Sequence, residues 1–245
     1  MRRVFVAPEK LGGERVVLDG EAHHHLSRVL RARIGDRVVV FDGQGNEIDA
    51  EVVVTGAQTT ALALGARRRS ATAAPVRITL LQALARGEKM DWIVQKTCEL
   101  GVARVVPVLT GRTIVSSAAP AQAAARQQRW QRIAREAARQ CGRADVPLID
   151  APMSLAAALA SVDADDLRLV LWEASTGQAL RAALPAEPRP TTLLVGPEGG
   201  FSAAEIAQAQ GGGFQVVGLG RRILRVETAA VVAVALLQFA AGGLD

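Results

Sequence analysis

Two glycine-bearing loops within residues 193–229 constrain the fold of this chain more than any other feature. The first, Gly196-Pro197-Glu198-Gly199-Gly200, follows the apolar run Leu193–Val195. The second, Gly218-Leu219-Gly220, follows the apolar run Phe214–Val217. Short apolar runs bounded by such turn residues predict buried strands. Glycine permits positive φ and lets a ligand approach the backbone, so both loops are candidate ligand-binding elements.

A helix is predicted between the two strands, because Ser202 and Glu205 have the spacing of a capping box. Strands joined in this way lie in a mostly parallel sheet, and such sheets bind ligands just beyond the carboxyl ends of their strands. Ordinary strand-to-helix turns also favour glycine and proline, and the loops alone fit that interpretation equally well. A nucleotide-binding fingerprint is excluded, since neither G-x-G-x-x-G nor G-x-x-x-x-G-K-[ST] occurs in either loop.

Length and composition indicate a folded, non-membrane protein. The 245 residues suit one large domain or two small ones, and 49% of them are hydrophobic. The longest uncharged apolar segment, Thr228–Ala241, is too short to span a bilayer and predicts a buried helix. Burying every face of this helix would require a second copy of the chain. Because two cysteines are too few for a disulfide framework and no signal peptide is recognisable, we expect a cytoplasmic protein.

Basic residues are concentrated in the middle third of the chain. Residues 71–145 carry 12 basic and 5 acidic side chains, whereas residues 146–245 carry 6 and 10. A patch of positive charge is the expected electrostatic footprint of a nucleic-acid partner. Part of this charge lies on a predicted helix, about residues 121–141, in which three arginines share one face. Any solvated helix can carry such a charged face, so both interpretations stay open at this point.

The first 70 residues predict a small β-barrel. Five short apolar or alternating runs are separated by turn residues, and five short strands in so small a space favour a barrel. Residues 67–75 have the composition of a linker, which predicts domains at residues 1–70 and 71–245. The five runs are Val4–Val6, Val16–Leu18, Arg37–Phe41, Glu47–Val54 and Thr59–Leu64.

A predicted helical turn among these strands contains three consecutive histidines, His23 to His25. Leu26, Val29 and Leu30 have the spacing of one helix face and are expected to face the barrel. Adjacent helical residues point about 100° apart, so three histidines in a row cannot all reach one ion. We therefore predict no metal site here, and a solvated or RNA-facing turn.

The motifs GPEGG (196–200) and LGRRILRVETA (219–229), in this order, resemble those of the SPOUT-class RNA methyltransferases. Within that class the chain is similar to the branch that methylates N3 of a uridine in 16S ribosomal RNA. The resemblance implies an α/β fold: a C-terminal SPOUT-type α/β domain with a deep trefoil knot, preceded by a small PUA-like β-barrel domain. The residue pattern by itself predicts an unknotted doubly wound sheet. The resemblance also implies a homodimer and the cofactor S-adenosyl-L-methionine.

The resemblance implies that three loops hold the cofactor: one after the strand Leu167–Leu171, and the two glycine loops. Arg225 is then expected to stabilise the developing uridine anion, and Glu227 or Glu198 to accept its proton. A structural ion pair between Arg225 and Glu227 that anchors the last helix is an equally open alternative. The implied cofactor-binding residues are Leu171, Trp172, Gly196, Pro197, Glu198, Gly199, Gly200, Leu219, Gly220, Arg221, Ile223 and Leu224.

The implied partner is 16S ribosomal RNA or the small ribosomal subunit. The resemblance favours RNA binding over a merely solvated face for Arg139, whereas Lys96 and Glu99 also fit a surface ion pair. Two other functions stay open: a SPOUT methyltransferase that acts on tRNA, and an RNA-binding assembly factor without catalytic activity. The implied RNA-binding residues are His25, Arg28, Arg31, Arg33, Lys96, Arg112, Arg139 and Arg143.

Overall fold

The computed structural model describes residues 2–112, 120–173 and 178–244. The chain divides into two compact units. The first contains Met1–Ala73 and Arg135–Val146, and the second contains Ala74–Ala134 and Pro147–Asp245. Within the described ranges, no helix is long and apolar enough to cross a membrane.

The first unit is built on one curled five-stranded sheet in the order β1-β3-β4-β5-β2. β1 pairs with β3 in parallel, and the other neighbours are antiparallel. The five predicted strands are all present. The predicted small barrel is a half-barrel in the structure, because the outer strands β1 and β2 each have one partner in the described sheet. The strands are β1 (Arg3–Phe5), β2 (Arg15–Leu18), β3 (Arg37–Phe41), β4 (Asn46–Thr55) and β5 (Thr60–Arg69).

The three arginines at residues 67–69 belong to strand β5 and not to a linker, which corrects the prediction from composition. They pair with residues 46–48 of β4. Arg67 donates to Asp42, and Arg68 donates to carboxylates of β4. An arginine run in a sequence is typical of a solvated linker, but here Arg67 and Arg68 have carboxylate partners brought close by the sheet.

A short helix, α1 (Gly20–His24), continues into a π-helical turn, His25–Val29. Leu30 N–H donates to His25 O at 2.9 Å, one residue beyond the α-helical partner. Leu26 is fully buried as predicted, whereas Val29 is 61% exposed, so the prediction that Val29 faces the sheet is wrong. The wider π turn changes the residue spacing that the prediction assumed.

The second unit contains an eight-stranded sheet in which all neighbouring strands are parallel. The order is β11-β13-β10-β12-β6-β7-β8, and β9 also pairs with β7. The central strands β6 and β12 are buried along their whole length, as expected for a sheet covered on both faces. The strands are β6 (Ile78–Ala83), β7 (Arg104–Leu109), β8 (Leu148–Ile149), β9 (Met153–Ser154), β10 (Leu167–Leu171), β11 (Gln178–Ala179), β12 (Thr191–Val195) and β13 (Gln215–Gly218).

The remaining helices are α2 (Lys89–Glu99), α3 (Pro120–Cys141), α4 (Leu155–Ala160), α5 (Leu180–Ala183), α6 (Ala203–Gly211) and α7 (Val226–Ala240). The predicted capping box of α6 is present: the Ser202 hydroxyl accepts from Glu205 N–H, and the Glu205 carboxylate accepts from Ser202 N–H. These reciprocal bonds satisfy two of the free N–H groups at the helix start. They fix where α6 begins, directly after the first glycine loop.

Helix α3 is shared by the two units, which a linear boundary near residue 70 does not describe. Its first part contributes Trp130, whose indole N–H donates to Asp91 Oδ1 of α2 at 3.0 Å. From Arg135 onward the helix belongs to the first unit, where the Arg135 guanidinium lies 4.7 Å from the centre of the Phe5 ring. The most basic segment of the sequence, residues 71–145, therefore supplies residues to both units.

Candidate active site

Three adjacent strands, β13, β10 and β12, end at one edge of the sheet in the second unit. Their loops line a cavity of about 550 Å³. Parallel strands bring their carboxyl ends to the same edge, which is where ligands bind in such sheets. The cavity wall consists of residues 171–173, 195–200 and 217–226, with Lys89 and Ala229.

Every residue that was predicted to bind the cofactor lines this cavity. Three short segments that are far apart in the sequence are thus brought together around one volume. The residues are Leu171 and Trp172 after β10, Gly196, Pro197, Glu198, Gly199 and Gly200 after β12, and Leu219, Gly220, Arg221, Ile223 and Leu224 after β13.

The glycines of the wall leave room where side chains would intrude. A Cβ on Gly218 or on Gly220 would meet no protein atom within 4 Å, so the space beside both residues is open. Gly220 has φ +100°, and Gly200 has φ +67°, a region that other L-residues rarely adopt. A Cβ on Gly200 would also overlap the Glu173 carboxylate. An open cavity bordered by exposed backbone N–H and C=O groups suits a purine nucleoside, which these groups can hydrogen-bond.

The Gly196–Gly200 loop is held by contacts from outside the loop as well as by its own turn. Gly200 N–H donates to Pro197 O at 2.9 Å. The Arg112 guanidinium donates to Gly199 O at 2.8 Å. Arg112 is exposed and supports the loop through this bond, and its predicted role in RNA binding stays a prediction.

Glu198 is ionised and tightly held. Its Oε1 accepts from Lys89 Nζ at 2.9 Å and from Arg86 N–H at 3.0 Å. Burial favours the neutral form of this carboxyl, but these hydrogen bonds outweigh burial and hold the pKa of Glu198 below its ordinary value. A carboxylate with bound donors and a lowered pKa is a poor proton acceptor.

Glu227 is differently placed, in the first turn of α7. It does not itself line the cavity, although its neighbours Val226 and Ala229 do. Glu227 Oε2 is buried without a hydrogen-bond partner and lies 3.9 Å from Lys89 Nζ. In the part of the chain that the structure describes, no ion pair joins Glu227 to Arg225, which is exposed at the cavity wall. The alternative of a structural Arg225–Glu227 pair is therefore wrong.

Two predicted RNA-binding residues meet in the first unit. Arg139 Nη1 lies 2.6 Å from His25 Nδ1, and Arg139 also pairs with Glu136. Burial, together with the positive charge of Arg139, holds the pKa of His25 below its ordinary value. Neutral His25 accepts from Arg139 at Nδ1, which leaves Nε2 as the protonated nitrogen. Three further predicted residues, Arg28, Arg31 and Arg33, are exposed near this turn, and Arg31 has a positive φ of 49°.

Two residues that were expected at the surface are buried. Arg143 is 4% exposed and pairs with Asp145, so its guanidinium packs within the first unit and does not present a surface for phosphate. His23 is 7% exposed, and its Nδ1 lies 2.9 Å from Thr60 Oγ1. The prediction of a wholly solvated histidine turn is thus wrong for His23. In the described ranges, no three His, Cys, Asp or Glu side chains are grouped to hold a metal ion.

Lys96 forms the ion pair with Glu99 that its spacing allowed, with N–O distances of 2.9 and 3.0 Å. Its side chain is 34% exposed, and a role in RNA binding stays a prediction. Lys89, seven residues earlier on the same helix, is the site residue that sequence reasoning missed. Its partner Glu198 lies 109 residues away, so no local spacing marks the pair. The available signal was its position two residues after Gly87, at the start of a helix that follows a buried strand.

Comparisons with known proteins match both parts of the chain. A model of the RNA methyltransferase domain matches residues 72–238, and a model of the RNA methyltransferase PUA domain matches residues 18–59. Ribosomal RNA small subunit methyltransferase E of Synechocystis sp. is 35% identical over 244 residues, covering 96% of this chain and 77% of that protein. The Bacillus subtilis protein of that name is 29% identical over 228 residues, covering 91% of this chain and 89% of that protein.

A crystal structure of ribosomal RNA small subunit methyltransferase E from Neisseria gonorrhoeae, bound to S-adenosylmethionine, superimposes with a TM-score of 0.89 at 33% identity. The similarity covers 98% of this chain and 97% of that one. Both domain models and full-length relatives thus agree. The chain belongs to the ribosomal RNA small subunit methyltransferase E family of RNA methyltransferases.

Proposed function

We propose that this chain methylates N3 of a uridine in 16S ribosomal RNA of the small subunit, with S-adenosyl-L-methionine as the methyl donor. The observation that carries the proposal is the cavity at the ends of β10, β12 and β13, which is lined by both glycine loops. Relatives that match nearly the whole chain are methyltransferases of small-subunit ribosomal RNA, and one of them binds this cofactor.

The cofactor-binding residues are the twelve cavity residues given above. S-adenosylmethionine supplies a methyl group on a positively charged sulfur, which is open to attack by a nucleophile. Leu171, Leu219 and Leu224 offer apolar walls for the adenine ring, and the glycine loops offer backbone groups for its edge and for the ribose. Arg225, which is exposed at the cavity wall, stabilises negative charge that develops on the uridine.

RNA is bound by cations of both units. In the first unit we assign this role to Arg28, Arg31, Arg33 and the His25–Arg139 pair, which are exposed or half-buried. Lys96 contributes from the second unit. Because such contacts are to phosphates, they set affinity and position rather than sequence preference. A protein with this substrate works in the cytoplasm.

We also propose that the last part of the chain is threaded as a deep trefoil knot. β13 lies on the far side of β10 from β12, yet the following helix α7 returns to pack against α2 and β12. This return from β13 past β10 toward β12 supports the proposal. Tracing the backbone of an experimental structure with its termini joined tests this threading.

The function is tested by mapping methylated nucleotides on ribosomal RNA from a strain that lacks the gene, with and without a plasmid-borne copy. We expect one N3-methyluridine of 16S ribosomal RNA to disappear in the deletion strain and to return with the native gene. Loss of a tRNA methylation instead would assign a different RNA substrate. Unchanged methylation, together with no binding of S-adenosylmethionine in calorimetry, would leave the RNA-binding assembly factor as the function.

A further inference from the structure

Lys89 lines the cavity and lies between two carboxylates. Its Nζ donates to Glu198 Oε1 at 2.9 Å and lies 3.9 Å from Glu227 Oε2. Lys89 begins α2, Glu198 belongs to the loop after β12, and Glu227 belongs to the first turn of α7. One ammonium group thus connects three segments that are far apart in the sequence, where the cofactor and the target base must meet.

The two carboxylates differ in how well they are satisfied. Glu198 Oε1 holds two donors, from Lys89 and from the Arg86 backbone. Glu227 Oε2 is buried, and no described donor reaches it within hydrogen-bond distance. Leaving a buried acceptor unpaired costs about 1–3 kcal/mol, more for a charged group. Unpaired atoms of this kind in a native structure call for an explanation, and a catalytic role or a bound partner supplies one.

We propose that Lys89 is a positioning residue that gives the two glutamates different roles. Its ion pair fixes Glu198 as the anchor of the Gly196–Gly200 loop. The part-exposed carboxylate of Glu227, whose neighbours Val226 and Ala229 line the cavity, takes the proton from N3 of the target uridine. This inference rests on the proposed function, because it requires an N–H group as the substrate. It decides between Glu198 and Glu227, which sequence reasoning left as equal candidates.

The proton transfer balances in atoms and charge. The N3–H bond breaks, and its proton passes to the Glu227 carboxylate. The electron pair left on N3 forms the new bond to the methyl carbon while the carbon–sulfur electron pair leaves with sulfur. Glu227 becomes neutral as the positive charge on sulfur is lost, so the net charge of the site is unchanged. Lys89 keeps its protons throughout and acts through its two carboxylate neighbours.

The test separates cofactor binding from turnover. Binding of S-adenosylmethionine is measured by calorimetry, and kcat and KM for methylation are measured on small subunits from the deletion strain. Glu227→Gln keeps the shape of the side chain but cannot accept the proton, so we expect kcat to fall about 100-fold or more, the usual contribution of a general base, with unchanged cofactor affinity. Glu187→Gln, at an exposed position of the same unit, is the matched control and keeps native kcat.

The anchor is tested by a double-mutant cycle on cofactor binding. Lys89→Met and Glu198→Gln should each weaken binding, and the double variant should be no weaker than either, because one interaction is lost in all three. Lys89→Arg keeps the charge and should restore binding, whereas Lys10→Met, which breaks an exposed ion pair with Asp19, should leave it native. Circular dichroism checks that each variant is folded.

Two results would overturn the inference. Native kcat in Glu227→Gln would show that Glu227 is not the proton acceptor. Additive losses of cofactor binding in the double-mutant cycle would show that the Lys89–Glu198 pair does not anchor the loop. If the native chain bound S-adenosylmethionine but methylated no ribosomal RNA, both the proposed function and the proton transfer would be wrong. The double-mutant cycle on cofactor binding would still test whether the Lys89–Glu198 pair anchors the loop.

Discussion

At the scale of single residues, Gly220 combines a backbone requirement with access to the cavity. Its φ of +100° lies where a side chain is strained, and the space beside it is open. We predict that Gly220→Val binds S-adenosylmethionine about 10- to 100-fold more weakly. Valine at this φ is strained by about 1–3 kcal/mol, and the loop moves out of its binding conformation to relieve that strain. Calorimetric titration of the folded variant measures this loss.

The matched control is Gly211→Ala. Gly211 ends helix α6 with an ordinary φ, and a Cβ there would meet no atom within 4 Å. This variant should bind the cofactor like the native chain. Native affinity in Gly220→Val would show that the loop after β13 is not part of the cofactor site.

Arg139 and Arg143 behave differently in the structure although they look alike in the sequence. The Arg139 side chain is 20% exposed and contacts His25, whereas Arg143 is 4% exposed. We predict that Arg139→Ala weakens RNA binding and lowers the slope of log K against log salt by about one, since one phosphate contact is lost. Cofactor affinity should not change.

Filter binding across a series of salt concentrations measures this slope. Arg15→Ala, which removes an exposed arginine of β2 that carries no predicted role, is the control for loss of one positive charge. An unchanged slope in Arg139→Ala would return the arginine face of α3 to the interpretation as a solvated surface. Arg143→Ala should lower stability and leave the slope of the remaining folded protein unchanged.

At the scale of elements, most strands and the start of α6 could be predicted because their signals are local. Apolar runs and the Ser202–Glu205 spacing act over a few residues, and the structure confirms both. The arginine end of β5 could not be predicted, because its partners lie on other segments of the chain. The π turn after α1 carries no spacing signal that distinguishes it from an α-helical turn. Lys89 could not be predicted as a site residue for the same reason as the end of β5, because the carboxylates of Glu198 and Glu227 approach it only in the folded chain.

The glycine loops of the site were predictable because the positive φ of Gly200 and Gly220 selects glycine locally, whatever the rest of the chain does. Burial of Arg143 was not. Its partner Asp145 is only two residues away, but nothing in the sequence shows the packing that encloses the arginine. Motif spacing thus locates the cavity, but the role of each charged residue depends on tertiary contacts.

The acidic residues that organise strands β4 and β5 make the first unit sensitive to acid. Burial favours neutral Asp42, but hydrogen bonds from Asn46 and Gln44 and the charge of Arg67 outweigh it, so the pKa of Asp42 lies below its ordinary value. A lowered folded-state pKa contributes stability above about pH 4, and this contribution is lost as the pH falls through the folded-state pKa. The first unit should therefore weaken below about pH 4.

We predict that Asp42→Asn lowers the free energy of unfolding at pH 7 by about 1–3 kcal/mol, the range for hydrogen bonds to a buried charged group. The difference from the native chain should shrink as the pH falls toward 3. Hydrogen exchange of amides in β4 and β5, read at both pH values, assigns the change to these strands. Asp49→Asn, whose side chain is 57% exposed, is the control and should change little. A difference that does not depend on pH would contradict this account.

At the scale of the whole molecule, helix α7 has an apolar face that this single chain does not cover. Leu236 is 42% exposed and Phe239 is 64% exposed, and with Val232 they have the spacing of one helix face. The opposite face, which includes Val234 and Leu237, is buried in the second unit. We propose that a second copy of the chain covers the exposed face, since a twofold contact would bury the same patch on both subunits.

We predict that Leu236→Arg and Phe239→Arg convert a homodimer at micromolar concentration into a monomer and reduce methylation. Each places a charge in the contact, where an unpaired buried charge is strongly unfavourable, while the fold of the subunit is spared because both positions are exposed. Arginine at Val234 or Leu237 would instead disrupt the subunit core, so such a variant could not separate loss of the dimer from loss of the fold.

Light scattering measures the mass, and Gln208→Arg on the exposed side of α6 is the control. A native chain that is monomeric and active at this concentration would rule the dimer out, and the exposed face of α7 would then need another partner.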